Sequence, residues 1–145
     1  MNGKKYRKKQ RLLWITESGR KNERRVGKIR GDLAEDFAGH LLMCLANELK
    51  IKNFRKATKK EDNEHHTDFV LILNSGIKIG LQVKSSDYGA AKFRMEEKIG
   101  HAKRDYPVMV FVPNQLMEKP AEAKRLTKEI NRFESSLKKE VKLCI

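Results

Sequence analysis

Residues 67 to 86 constrain this chain more than any other segment. Phe69 to Leu73 is a continuous apolar run of strand length, and Asn74-Ser75-Gly76 after it is a turn signal. The next residues alternate strictly. Ile77, Ile79, Leu81 and Val83 point one way and Lys78, Gly80, Gln82 and Lys84 the other, because strand side chains have a period of two. Such a pair of strands needs a sheet with at least one covered face. It also carries chemistry: Asp68 enters the first strand, while Gln82 and Lys84 share one face of the second. A hairpin brings this carboxylate, amide and amine within a few ångströms, a place to hold a metal ion and a phosphate.

The flanking patterns are helical. From Asp32 to about Leu49, the residues Ala34, Ala38, Leu41, Leu42, Leu45 and Leu49 fall on one arc at 100° per residue, with Asp36, His40 and Asn47 opposite. Glu35 lies at the edge of the apolar arc, either as a first-turn carboxylate favoured by the helix dipole or as a residue with a chemical task. Residues 51 to 58 read as a polar edge strand and Lys59 to His66 as a charged loop. Asp87 is placed to cap a helix running to about Arg104, with Ala91, Met95, Ile99 and Ala102 as its apolar stripe. Pro107 to Val112 reads as a fourth strand. Leu126, Ile130, Phe133 and Leu137 mark a last helix over about Glu118 to Lys139. The order predicts an α/β fold with one mixed sheet covered by helices.

Charge divides the chain in two. Residues 1–30 hold twelve Lys/Arg against Glu17 and Glu23, so most of the net charge of +14 sits in this basic arm and residues 31–145 form a nearly balanced domain. An arm of this kind is an electrostatic footprint for a polyanion, most often nucleic acid; a solubilising tail or an anionic membrane contact is the plainer use. Lys4, Lys5, Arg7, Lys8, Lys9 and Arg11 are its candidate phosphate contacts, continued by Lys92, Arg94, Lys98, Lys103 and Arg104 on the second helix. Trp14, among leucines, reads as packing. Cys44 and Cys144 lack metal or disulfide-scaffold spacing and suit a reducing compartment. With no long apolar stretch and no apolar region after the basic start, an intracellular, cytoplasmic protein without membrane attachment is expected.

The order and spacing of Glu35, Asp68, Gln82 and Lys84 resemble the restriction-endonuclease-like, or PD-(D/E)XK, nuclease superfamily, over roughly residues 31 to 112. The resemblance implies an αβββαβ core, with Glu35 as the helix Glu, Asp68 as the Asp opening the second strand and Gln82-Val83-Lys84 as the Glu-x-Lys element. Thr67 stands where that family often has Pro, and Gln82 replaces its acidic residue. An amide oxygen still suits a hard cation but brings no charge, so Asp68 and Glu35 must supply it. The implied activity is Mg²⁺-dependent DNA endonuclease, with Mn²⁺ an acceptable substitute. Hydrolysing a phosphodiester requires neutralised non-bridging oxygens and an activated water. Asp68, Gln82, the Val83 carbonyl and Glu35 would hold the metal, and Lys84 would orient the water and meet developing charge.

The small size resembles stand-alone structure-specific nucleases such as Holliday-junction resolvases, or compact homing endonucleases, which act as homodimers. The competing reading is a catalytically inactive nucleic-acid-binding module of the same fold, in which Lys78, Gln82 and Lys84 are only a solvated strand face. His65 and His66 precede Asp68 and read as solvated residues of a charged loop. His40 faces water, and His101 reads as a phosphate contact.

Overall fold

In the computed structural model the backbone is described for residues 2–99 and 105–143, and side chains for residues 24–97 and 105–141. Along the chain lie α1 (Asn2–Asn47), β1 (Asn53–Lys56), α2 (Lys59–His65), β2 (Phe69–Ile72), β3 (Lys78–Val83), α3 (Asp87–Ile99), β4 (Val108–Phe111) and α4 (Lys119–Leu143). The fold is mixed α/β, as the pattern predicts. The chain divides into two compact units, residues 1–33 and 34–145, and the sheet lies in the second.

Four strands form one sheet in the order β1-β2-β3-β4. β2 runs antiparallel to both β1 and β3, and β3 runs parallel to β4. Phe69 pairs with Leu81 and Gln82 with Val110. The alternation of β3 sorts the faces as expected. Ile79, Leu81 and Val83 join Phe69, Leu71, Met109 and Phe111 in a core with Ala34, Ala38, Leu41, Leu42 and Leu45 of α1 and Ala123, Leu126 and Ile130 of α4. Each buried Leu, Ile or Phe there contributes about 1.5–3 kcal/mol. On the opposite face, Val108, Val110 and Val112 pack with Ala90 and Phe93 of α3.

Four local expectations are corrected. The helix expected to open at Asp32 begins at Asn2, since Gly27 and Gly31 lower helix propensity by only about 1 kcal/mol each and no proline intervenes. Leu49 does not extend the apolar arc. It is 79% exposed with φ 59°, and the Lys50 N–H to Leu45 and Leu49 N–H to Ala46 bonds close a Schellman turn there. Lys59 to His65 is a helix rather than a loop, opened by a capping box. The Thr58 hydroxyl accepts from the Glu61 N–H while the Glu61 carboxylate accepts from the Thr58 N–H.

Lastly, α3 buries Ala90 and Phe93, whereas Ala91 and Met95 are exposed. Its first turn is capped by Ser86, whose hydroxyl accepts from the Gly89 N–H at 3.1 Å, and not by Asp87. The side chains of Lys4, Lys5, Arg7, Lys8, Lys9, Arg11, Trp14, Lys98 and Ile99, and the whole of His101, Ala102, Lys103 and Arg104, lie outside the described residues.

Candidate active site

The β2–β3 ladder ends at Phe69↔Leu81, and Asp68 occupies the step before it. Its N–H donates to the Leu81 carbonyl, and its Oδ2 accepts the Val83 N–H at 2.7 Å. The carboxylate is thus fastened to the strand that carries Gln82 and Lys84. Burial pushes the Asp68 carboxyl up to about 6. The Val83 N–H and Lys84 pull it down, but the nearby Glu35 and Asp62 carboxylates add to the rise.

Glu35 and Asp68 line one cleft of about 170 Å³ together with Lys56, Lys59, Asp62 and Thr67. That volume holds an ion with part of its water shell. The Lys56 ammonium is 3.5 Å from Glu35 Oε1 across it. Helix α1 supplies Glu35 beside its buried Ala34 and Ala38, so the carboxylate leaves the apolar stripe at its edge and remains half-buried.

Gln82 and Lys84 do not line this cleft; they stand on the β3 face that looks toward α3. Gln82 is buried at 9% exposure, which excludes a solvated strand face at this position, and its Oε1 has no hydrogen-bond partner. A buried amide oxygen left unmatched costs about 1–3 kcal/mol. Lys84 is half-buried with its Nζ 5.5 Å from the centre of the Phe93 ring. Glu35 and Asp68 are therefore brought together, Asp68 is tied to Val83, and Lys84 acts on Asp68 through its charge. Among the described residues, no three His, Cys, Asp or Glu side chains converge as metal ligands.

Several residues of the surroundings escape the sequence reading. Arg55 of β1 grips Glu61 of α2 with two hydrogen bonds of 2.6 and 3.1 Å, and the Tyr106 hydroxyl donates to Glu61 Oε2 at 2.6 Å. Arg55 holds the Glu61 carboxyl far below the usual range, while burial and Glu61 push the Tyr106 phenol up to about 12. This network fixes α2, hence the approach to Asp68. His65 is not solvated: it is buried with its Nδ1 unpartnered and its ring 5.4 Å from that of Tyr106. His66 and His40 are exposed.

Gly80 sits where a Cβ would meet Thr67 Oγ1 at 2.7 Å and Tyr106 Cε2 and Val108 Cγ2 at 2.9 Å. The capping pair Thr58/Glu61 was the one sequence signal for this region.

A second buried polar group lies near the ends of β3 and β4. Glu122 is fully buried, accepts the Asn114 N–H at 2.8 Å and receives a fork from Arg125 at 2.7 and 2.9 Å. Arg125 also donates to the Val112 carbonyl at 2.6 Å and covers the Phe111 ring. Arg125 holds the Glu122 carboxyl below its usual range. With each acceptor matched, this group is read as the joint between β4 and α4.

Comparison with known proteins gives no match, whether to family models, to curated proteins or to solved structures. No helix among the described residues is long and apolar enough to cross a membrane.

Proposed function

We propose that residues 34–145 form a Mg²⁺-dependent DNA endonuclease domain of restriction-endonuclease-like architecture, acting as a homodimer and served by a basic N-terminal arm. The observation that carries this reading is the unmatched Gln82 Oε1, buried one residue from the Val83 N–H that Asp68 grips. An orphaned hard oxygen on the strand to which a carboxylate that is costly to keep charged is bonded offers donors that a divalent cation would relieve. Asp68, Gln82 and the Val83 carbonyl are the residues that would hold the ion, with Glu35 reaching it directly or through water once Lys56 is displaced. When bound, the cation neutralises phosphate oxygens and lowers the pKa of a coordinated water.

The chain's own residues do the positioning. Asp68, locked to Val83, fixes the distance between the two strands. Lys84, held over Phe93 on the same face as Gln82, places a cation where the scissile phosphate gains charge. Lys56 and Lys59 border the acidic cleft and supply the neighbouring phosphate contacts. Exposed Lys92 and Arg94 offer further cations to the phosphate backbone.

A second reading, a non-catalytic nucleic-acid-binding module of the same architecture, is favoured by the Lys56–Glu35 ion pair, in which an ammonium already serves one of the two carboxylates. Cleavage of plasmid, linear and four-way-junction DNA with Mg²⁺ or EDTA, by wild type and Lys84→Ala, decides between them. The endonuclease reading expects metal-dependent cutting that Lys84→Ala abolishes while DNA binding persists. Absence of cutting by a wild-type protein that binds DNA leaves the binding module.

A further inference from the structure

Among the described residues every phenylalanine and tyrosine ring is buried or half-buried except one. Tyr88, in the first turn of α3, is 81% exposed. An isolated exposed ring is ordinary on a protein surface, but this one adjoins the candidate site. The turn that carries it is packed on the stem of Lys84. A Cβ added to Gly89 would lie 3.8 Å from both Cβ and Cδ of Lys84, whose Nζ stands 5.5 Å from the centre of the Phe93 ring one turn on. Gly89 is anchored there by the bond from its N–H to Ser86 Oγ.

Tyr88 therefore stands one residue from the contact with Lys84. At 100° per residue the helix turns Tyr88 outward from that contact and carries Asp87 beyond it, away from Lys84. Lys92, four residues on and exposed, lies beside the Tyr88 ring on the outer face, and exposed Ala91 and Met95 continue that face. The first carboxylate on this side is Glu96, two turns past Tyr88 and about 12 Å along the axis. An ammonium, an open aromatic ring and a second ammonium thus follow one another around the start of α3.

That order suits a strand offering phosphates and a free base face: the ammonium groups take phosphates and the ring takes a base. In an intact duplex the base faces are covered by their own stacking neighbours. A ring finds a partner only where bases are unpaired. We infer that Tyr88 stacks on an unpaired base next to the phosphate held by Lys84, so that this site selects DNA carrying single-stranded nucleotides over an intact duplex. The inference rests on the nucleic-acid reading of the β3–α3 face given above, and needs neither the metal nor the hydrolytic step.

The test is fluorescence anisotropy with the full chain in EDTA, on a labelled blunt duplex and on the same duplex with an overhang of ~10 nucleotides. Tyr88→Ala should weaken binding of the overhang substrate at least ~5-fold, the low end of what base–aromatic stacking supplies. It should leave the blunt duplex within ~2-fold, as expected of a surface substitution. The slope of log affinity against log salt should not change, because no phosphate contact is lost. Tyr88→Phe keeps the ring and should bind as the wild type does. Equal weakening of both substrates overturns the inference while the nucleic-acid reading stands. So does a loss on the overhang below ~2-fold, or one as large in Tyr88→Phe as in Tyr88→Ala. A wild type that binds neither substrate overturns both. One that binds as expected yet never cuts with Mg²⁺ refutes the endonuclease reading alone.

Discussion

Replacing Asp68 by Asn should stabilise the metal-free protein at neutral and alkaline pH. The Asp68 carboxyl is pushed from 3.8 up to about 6, chiefly by loss of water. The folded state therefore binds a proton more tightly than the unfolded chain between those two values. Stability falls as pH rises through that window, and the penalty is complete above about 6. A shift of about two units corresponds to ~3 kcal/mol for a fully dry group. Asp68 keeps part of its solvent contact, so about half of this is realised.

An Asn oxygen still accepts the Val83 N–H, but as a neutral acceptor it gives back some tenths of a kcal/mol. The net gain is about 1 kcal/mol at pH 8, near 3 °C in Tm for a domain of this size. Urea unfolding in EDTA at pH 8, 6 and 4 measures it, and the gain should vanish at pH 4. Added Mg²⁺ should raise the wild type and not Asp68→Asn. A variant that is less stable at pH 8, or a gain independent of pH, would refute the assignment of Asp68 as a strained, desolvated carboxylate.

Three further outcomes are expected. Gly80→Ala forces a methyl against Thr67, Tyr106 and Val108 and should cost about 1–3 kcal/mol in denaturant unfolding, with a loss under 0.5 kcal/mol contradicting the close approach. Glu122→Ala leaves the Asn114 N–H and the Arg125 fork unmatched; a loss of about 3 kcal/mol is expected, and one below 1 kcal/mol would show that the pair is dispensable. Gln82→Glu adds a charge to the donor set, so it should tighten Mg²⁺ binding in calorimetry while lowering metal-free stability at pH 8. Unchanged Mg²⁺ affinity would remove Gln82 from the proposed ligands.

The alternation from Ile77 to Lys84 made β3 and its two faces readable, because its large apolar side chains all turn to the main core. That the other face is also buried, under α3, was not legible from it. Asp68 was equally legible, as a lone carboxylate at the mouth of an apolar run. Helix α2 was not. Its residues are nearly all charged, so it has no apolar period, and it is held by Arg55 and by Tyr106, which lies 45 residues beyond Glu61. His65 is buried for the same reason, by the Tyr106 ring. In α3 the apolar contact is one short patch on valines, too small to set a period. Leu49 was misplaced because a Schellman stop usually carries glycine, and here a leucine takes the left-handed turn at a cost of about 1–2 kcal/mol.

The crowding around Gly80 has a consequence for recognising distant kin of this chain. Thr67, before β2, and Tyr106 and Val108, around the start of β4, close on that backbone from two separate segments, so any descendant that keeps them must keep a residue without a side chain there. Two positions later comes the buried amide, and two later again the lysine. Gly-x-Gln-x-Lys, preceded by Thr-Asp at the mouth of an apolar strand, is thus a fingerprint written by steric exclusion as well as by chemistry. It can survive divergence that erases every other likeness between two sequences.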